Sequence, residues 1–182
     1  MSSSSDYKKS INDFCESTVV ATGLLYEKDL YGHMLVLVYS AIDTMGLLIA
    51  APEQTKSTGN TFKSWIEKYL LTNPEFEFNA VDVWAARCSV LHTFSSESDL
   101  SKAGNAREIQ YFSGPKDHPM AVAFVAATLD MDDGKHVPAH IEDTYIAFLS
   151  GLEKFSKDLL DKCESNVTYK TRLTKVLQKH LL

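Results

Sequence analysis

Residues 34–51 read MLVLVYSAIDTMGLLIAA, 18 residues without a lysine or arginine. Length alone puts this run at the edge of a membrane span. Asp43 argues against one, because a carboxylate at the centre of a bilayer costs about 3 kcal/mol, and Ser40 and Thr44 add further polar groups. No basic cluster flanks either end. The run therefore reads as a helix over residues 31–50, buried on all sides within a helical domain and stopped by Pro52.

A helix of that kind needs other helices around it, and the rest of the chain supplies them. Phe62, Trp65, Ile66, Tyr69 and Leu70 fall at helical spacing, and Asn73-Pro74 ends their stripe. Upstream, Ser10 and Asp13 suit a helix start, with Ile11, Phe14, Cys15, Val19 and Leu25 as the apolar positions of a helix over 10–27. Downstream, Asn79 and Asp82 suit the cap and third position of a helix over 80–94. The pattern then changes. Residues 107–112 have strand character, and MAVAFVAATL at 120–129 is short, apolar and β-branched. With the turn signal Asp133-Gly134, residues 120–129 and 135–137 read as a small β-hairpin. Helices return over 141–162 and 167–181. The expected fold is mainly α: one domain over 1–182, a bundle of five or six helices. It carries a disordered tail at 1–9, a β-containing insertion at 107–137 and a C-terminal helix within 166–182.

Composition sets outer limits. The chain has 182 residues, and 18 Lys+Arg against 24 Asp+Glu give a net charge of −6, so a broadly basic surface for nucleic acid is excluded. Any such contact must be local. Cys15, Cys88 and Cys163 are dispersed, odd in number and without a Cys-x-x-Cys pair, which fits reduced thiols in the cytoplasm. The start MSSSSD lacks the basic and apolar regions of a secretory signal.

The helix over 80–94 places its charges unusually. At 100° per residue, Asp82, Ala86, Ser89 and Thr93 share one narrow wedge, read as the solvent side. Arg87 falls between Leu91 and Phe94, and His92 falls beside Ala85 and Cys88, both toward apolar surface. A guanidinium there needs a partner or an interface. Asp43, the one charged residue between His33 and Pro52, is the economical partner.

Arg87-Cys88-Ser89-Val90-Leu91-His92 resembles the signature of the HEPN superfamily, an Arg and a His four to six residues apart on a helix. The helix with Ile42-Asp43-Thr44 and the stretch from Phe62 to Tyr69 precede it in the same order, and Glu142-Asp143 to Phe148 follows. The likeness extends over residues 30–163, and the chain looks like an uncharacterised bacterial branch of that superfamily. It implies a helical bundle, usually a homodimer, that acts as a metal-independent endoribonuclease with Arg87 and His92 in a cleft shared by two subunits, supported by Asp43 and Ser89. It also implies RNA or nucleotide as ligand and an antitoxin-like protein as a partner, with no membrane. The chemistry suits these residues. His92 can take the ribose 2′-OH proton, and Arg87 can hold the phosphate in two parallel hydrogen bonds. On one helix the two lie about 140° apart, so a shared cleft would ease the geometry. Cys88 stands where a small polar residue is common. The alternative is therefore an inactive HEPN-like binding or structural module, in which Arg87, His92 and Asp43 hold helices together or receive a partner.

Other patterns are weaker. Cys88 and His92, four residues apart, could form a nucleophilic pair, but Cys88 reads better as a small core residue. The run from Asp130 to Gly134 fails as a calcium loop, since its glycine comes one place early and Ile141 takes the place of the required Glu. His136 and His140 bracket Pro138, which breaks the helix a zinc pair would use. Asn166-Val-Thr168 reads as a helix cap rather than a glycosylation site. No cofactor and no metal are expected.

Overall fold

The computed structural model describes residues 4–72, 75–93 and 97–177. The protein is mainly helical, and its chain divides into two compact units, residues 1–65 with 149–182 and residues 66–148.

The first unit starts with α1 (Ser4–Tyr26) and α2 (Tyr31–Ile49), joined by a short turn in which Asp29 adopts the left-handed conformation. The expected tail is corrected here: residues 4–9 belong to α1, and Tyr7 is buried with Ile11 one turn on. α2 buries nine residues, among them Ile42 and Met45 with no exposed surface. It is the one helix among the described residues long and apolar enough to cross a membrane, and half of that stretch is buried inside the structure. α3 (Gly59–Trp65) crosses α2 closely. A Cβ placed on Gly46 would lie 2.6 Å from the Thr61 carbonyl oxygen, so the crossing requires glycine. Thr58 and Thr61 cap the start of α3 reciprocally, each hydroxyl accepting the other's backbone N–H at 2.9 and 3.2 Å.

The unit is completed by residues 149–165 of α7 (Ile141–Ser165) and by α8 (Val167–Val176), capped by the Asn166 side chain. The expected C-terminal helix thus ends at Val176, and residues 178–182 lie outside the described ones. Along α7, Tyr145, Phe148, Leu152, Phe155, Leu159 and Cys163 form the buried stripe, while Ile146 is exposed.

The second unit begins with a π-helical turn (Ile66–Leu70), continues through α4 (Ala80–Thr93) and α5 (Asp99–Lys102), and then forms β1 (Glu108–Phe112), α6 (Pro119–Asp130), a 3-10 turn (Met131–Gly134) and β2 (His136–His140). β1 and β2 pair in parallel, Glu108 opposite His136 and Phe112 opposite His140. This overturns the hairpin. Residues 120–129 are helical, and α6 is the crossover that parallel strands require. Asp133-Gly134 is a turn, as read, but it joins α6 to β2 through left-handed Asp132 and Asp133. Eight α-helices are present among the described residues, against the five or six expected.

Candidate functional site

α4 carries the Arg-x4-His pattern, and its start is built as the sequence suggests. The Asn79 side chain accepts the N–H groups of Val81 and Asp82 at 2.8 and 3.1 Å, while Asp82 accepts the Asn79 N–H at 3.0 Å. Asp82 does more than cap. Its carboxylate accepts the Arg107 backbone N–H at 2.8 Å, Nε–H at 3.2 Å and Nη2–H at 2.7 Å, and Arg107 Nη2 also reaches the Glu77 carbonyl at 2.7 Å. Arg107 therefore ties α4 to the start of β1. Nothing in the sequence period marks it, because the two residues are 25 apart.

The solvent wedge assigned to α4 is reversed. Asp82, Ala86 and Ser89 are 1%, 5% and 3% exposed, so that side faces inward. Arg87 is half-buried, its guanidinium carbon 5.0 Å from the centre of the Trp84 ring in a cation–π contact. Ser89 stands about 200° around the helix from Arg87, and its hydroxyl donates back to the Ala85 and Ala86 carbonyls. It is a packing residue in this geometry, not a neighbour of Arg87. Cys88 is half-buried. His92 belongs to the last turn of α4, and its side chain, with Phe94, lies outside the described residues. Asp43 is on α2 in the first unit, where Ser57 Oγ–H donates to its carbonyl at 3.2 Å and its carboxylate at 3.4 Å.

A second polar cluster lies where the parallel strands end, and it was not anticipated. His140 Nε2–H donates to the Gly114 carbonyl at 2.8 Å and lies 3.0 Å from Glu142, whose other oxygen accepts the Gly114 N–H at 2.8 Å. The opposite ring nitrogen is 3.3 Å from Asp143, which Lys116 approaches at 2.7 Å. The Lys116 hydrogen bond, with His140 adding to it, holds the Asp143 carboxyl below the usual carboxylate range. These contacts fasten the start of the crossover to the start of α7. The mirror-like Gly114, at φ 90°, makes the turn that allows it.

His136 and His140 are on one strand about 13 Å apart, too far to share an ion. Among the described residues no three His, Cys, Asp or Glu side chains could hold a metal ion together. Burial pushes the Cys15 thiol up to about 11 and the Cys163 thiol up as well, so neither is a nucleophile at neutral pH.

Apolar surface is unevenly distributed. On α6 and the turn after it, Met120, Val122, Phe124, Leu129 and Met131 are 37–76% exposed. In the first unit a groove of about 330 Å³ runs between α1 and α2, lined by Phe14, Thr18, Ala21, Thr22, Leu37 and Thr44 among others. The three threonine hydroxyls donate to carbonyls of their own helices. The chain matches no family model, no curated protein and no solved structure.

Proposed function

We propose that this chain is a HEPN-like endoribonuclease, in which Arg87 binds the scissile phosphate and His92 takes the 2′-OH proton. The observation that carries the reading is Arg87 itself. It is half-buried and in cation–π contact with Trp84, on a helix whose start is locked by Asn79, Asp82 and Arg107. A guanidinium held against an indole keeps its charge and its planar fork, the geometry that grips a phosphate. The mainly helical fold and the order of motifs along it are consistent with the resemblance. Cleavage by this pair runs through the RNA's own 2′-oxygen, so it needs no metal and leaves a 2′,3′-cyclic phosphate. The reading places the enzyme in a reducing, cytoplasmic setting as a homodimer that shares its cleft.

A second reading is a HEPN-like module that binds without cleaving. The observation favouring it is the exposed apolar face of α6, which suits a protein partner better than RNA.

The test is incubation of the purified protein with tRNA and mixed RNAs in EDTA, beside His92→Ala and Arg87→Lys. His92→Ala is expected to lower the rate by about 10²–10⁴. Arg87→Lys is expected to fail as well, since a point charge does not reproduce the two-pronged contact. Equal cleavage by wild type and both variants would overturn the assignment. No cleavage by any of the three would leave the binding module as the better description.

A further inference from the structure

The most basic segment of this acidic chain is α8, which carries Lys170, Arg172 and Lys175 and no acidic residue. Arg172 is 8% exposed and is held in a cage of backbone oxygens. Its Nη1 donates to the carbonyls of Leu47, Leu48 and Ala50 at 3.0, 3.3 and 2.7 Å. Nη2 donates to those of Ala51, Pro52 and Gln54 at 2.7, 3.0 and 2.9 Å. The cage closes the end of α2 and fixes the guanidinium in place. It does not neutralise it. No carboxylate among the described residues is within ion-pair distance of Arg172, and the end of a helix supplies only about half a negative charge.

Beside this cation is a hollow of about 250 Å³, lined by Gln54, Thr55, Thr168, Thr171, Arg172 and Lys175 over an apolar floor that includes Leu47. No carboxylate lines it, and Glu53, the one acidic residue of the loop 50–58, is exposed and absent from the lining. Thr171 spends its proton on the Val167 carbonyl. The Thr55 and Thr168 hydroxyls have no hydrogen-bond partner among the described residues, so each keeps a donor for an incoming group. Lys175 is exposed at the rim.

We infer that this hollow between α8 and the loop after α2 is a binding site for a phosphate-class anion. Arg172 acts through its fixed charge, since its Nη protons are committed to the cage. Lys175 meets the anion directly, and Thr55 and Thr168 donate to its oxygens. A cation that need not move when the anion arrives costs no reorganisation. The volume is below the roughly 300–1,000 Å³ of drug-sized ligand sites, which restricts the ligand to a phosphate with a small remainder. The inference uses no residue of α4 and stands apart from the ribonuclease reading.

The test is a titration with inorganic phosphate, then with AMP, at constant ionic strength balanced by chloride, followed by amide ¹H–¹⁵N shifts. The expected result is a saturable shift of Thr55, Thr168 and Lys175. Binding should weaken roughly tenfold in Lys175→Glu and measurably in Thr168→Val, and stay unchanged in His92→Ala. Both weakened variants leave the Arg172 cage intact, and far-UV circular dichroism checks that they fold. Tighter binding of AMP through the same three amides would support a phosphomonoester with an organic remainder. Non-saturable phosphate shifts, or shifts equally strong in Lys175→Glu, would overturn the inference.

Discussion

α2 and α6 are written in nearly the same apolar vocabulary and end in opposite surroundings. α2 buries nine of its residues, whereas α6 buries only Ala121 and Thr128. The difference lies in what each helix must do. α2 packs against α1, α3 and α8, with Gly46 admitting the α3 backbone and Arg172 closing its end. α6 exists because two parallel strands need a crossover, and it packs on β2 and on the turn that follows it. Its other side carries Met120, Val122, Phe124 and Leu129 exposed among the described residues, and large exposed apolar faces usually meet a partner. Apolar composition thus states that a helix needs covering. It does not state whether the same chain does the covering.

The largest effect should come from the packed member of the pair. Gly46→Val puts a branched side chain where even a Cβ would lie 2.6 Å from the Thr61 oxygen and 2.9 Å from its carbonyl carbon. Both are backbone atoms of a capped helix start, so neither can rotate away. Relief from glycine's poor helix propensity is worth at most about 1 kcal/mol. Overpacking against backbone should exceed that, for a net loss of about 1–3 kcal/mol in urea denaturation. An unchanged midpoint would mean that α2 and α3 are not in close contact.

The sequence made α2 legible and α6 illegible for identifiable reasons. In α2, and through α3 into the π-helical turn after it, the apolar residues repeat at helical spacing, and Phe62, Trp65, Ile66, Tyr69 and Leu70 are all buried as their period implies. The cap at Asn79 and Asp82 was equally visible, because both partners lie within one turn. In α6 the β-branched residues and the Asp-Gly turn suggested a hairpin. The contrary signals were present in Pro119 at the first turn, His118 as the cap and four alanines. The wedge on α4 was misread because small and acidic residues were equated with solvent. Ala86 and Ser89 allow close packing, and Asp82 answers Arg107, a pairing across 25 residues that no local period reveals. Arg87 and His92 could be picked as a motif, but the cation–π contact of Arg87 with Trp84 needed coordinates.

The polar clasp at the entrance to α6 should matter in a pH-dependent way. Lys116 keeps the Asp143 carboxyl low, with His140 assisting and Glu142 on the far side of the ring. A folded pKa below the unfolded one gives stability that is present above about pH 4 and is lost as pH falls through the lowered value. The Lys116 and Asp143 side chains are 55% and 33% exposed, so the contribution should stay under about 1 kcal/mol. Lys116→Met is expected to lower the urea midpoint at pH 7, and its difference from wild type is expected to shrink as the pH falls below about 4. A difference that persists in acid would assign the lysine another role.

The smallest effect on stability should come from α6 itself. Met120 and Val122 are 76% and 56% exposed, so a glutamate at either position loses little packing and meets water rather than core. Surface substitutions of this kind usually stay within about 0.5 kcal/mol. Helix propensity barely opposes the change, and Glu near the first turn of a helix is favoured by the backbone dipole. The double variant Met120→Glu/Val122→Glu is therefore expected to unfold at the wild-type urea midpoint while binding less of a hydrophobic fluorescent dye. Val38→Glu in α2, where the side chain is 3% exposed, should by contrast abolish a cooperative transition. If the α6 variant proves as damaging as the α2 one, its face is covered in the folded protein in solution, and the contrast between the two helices disappears.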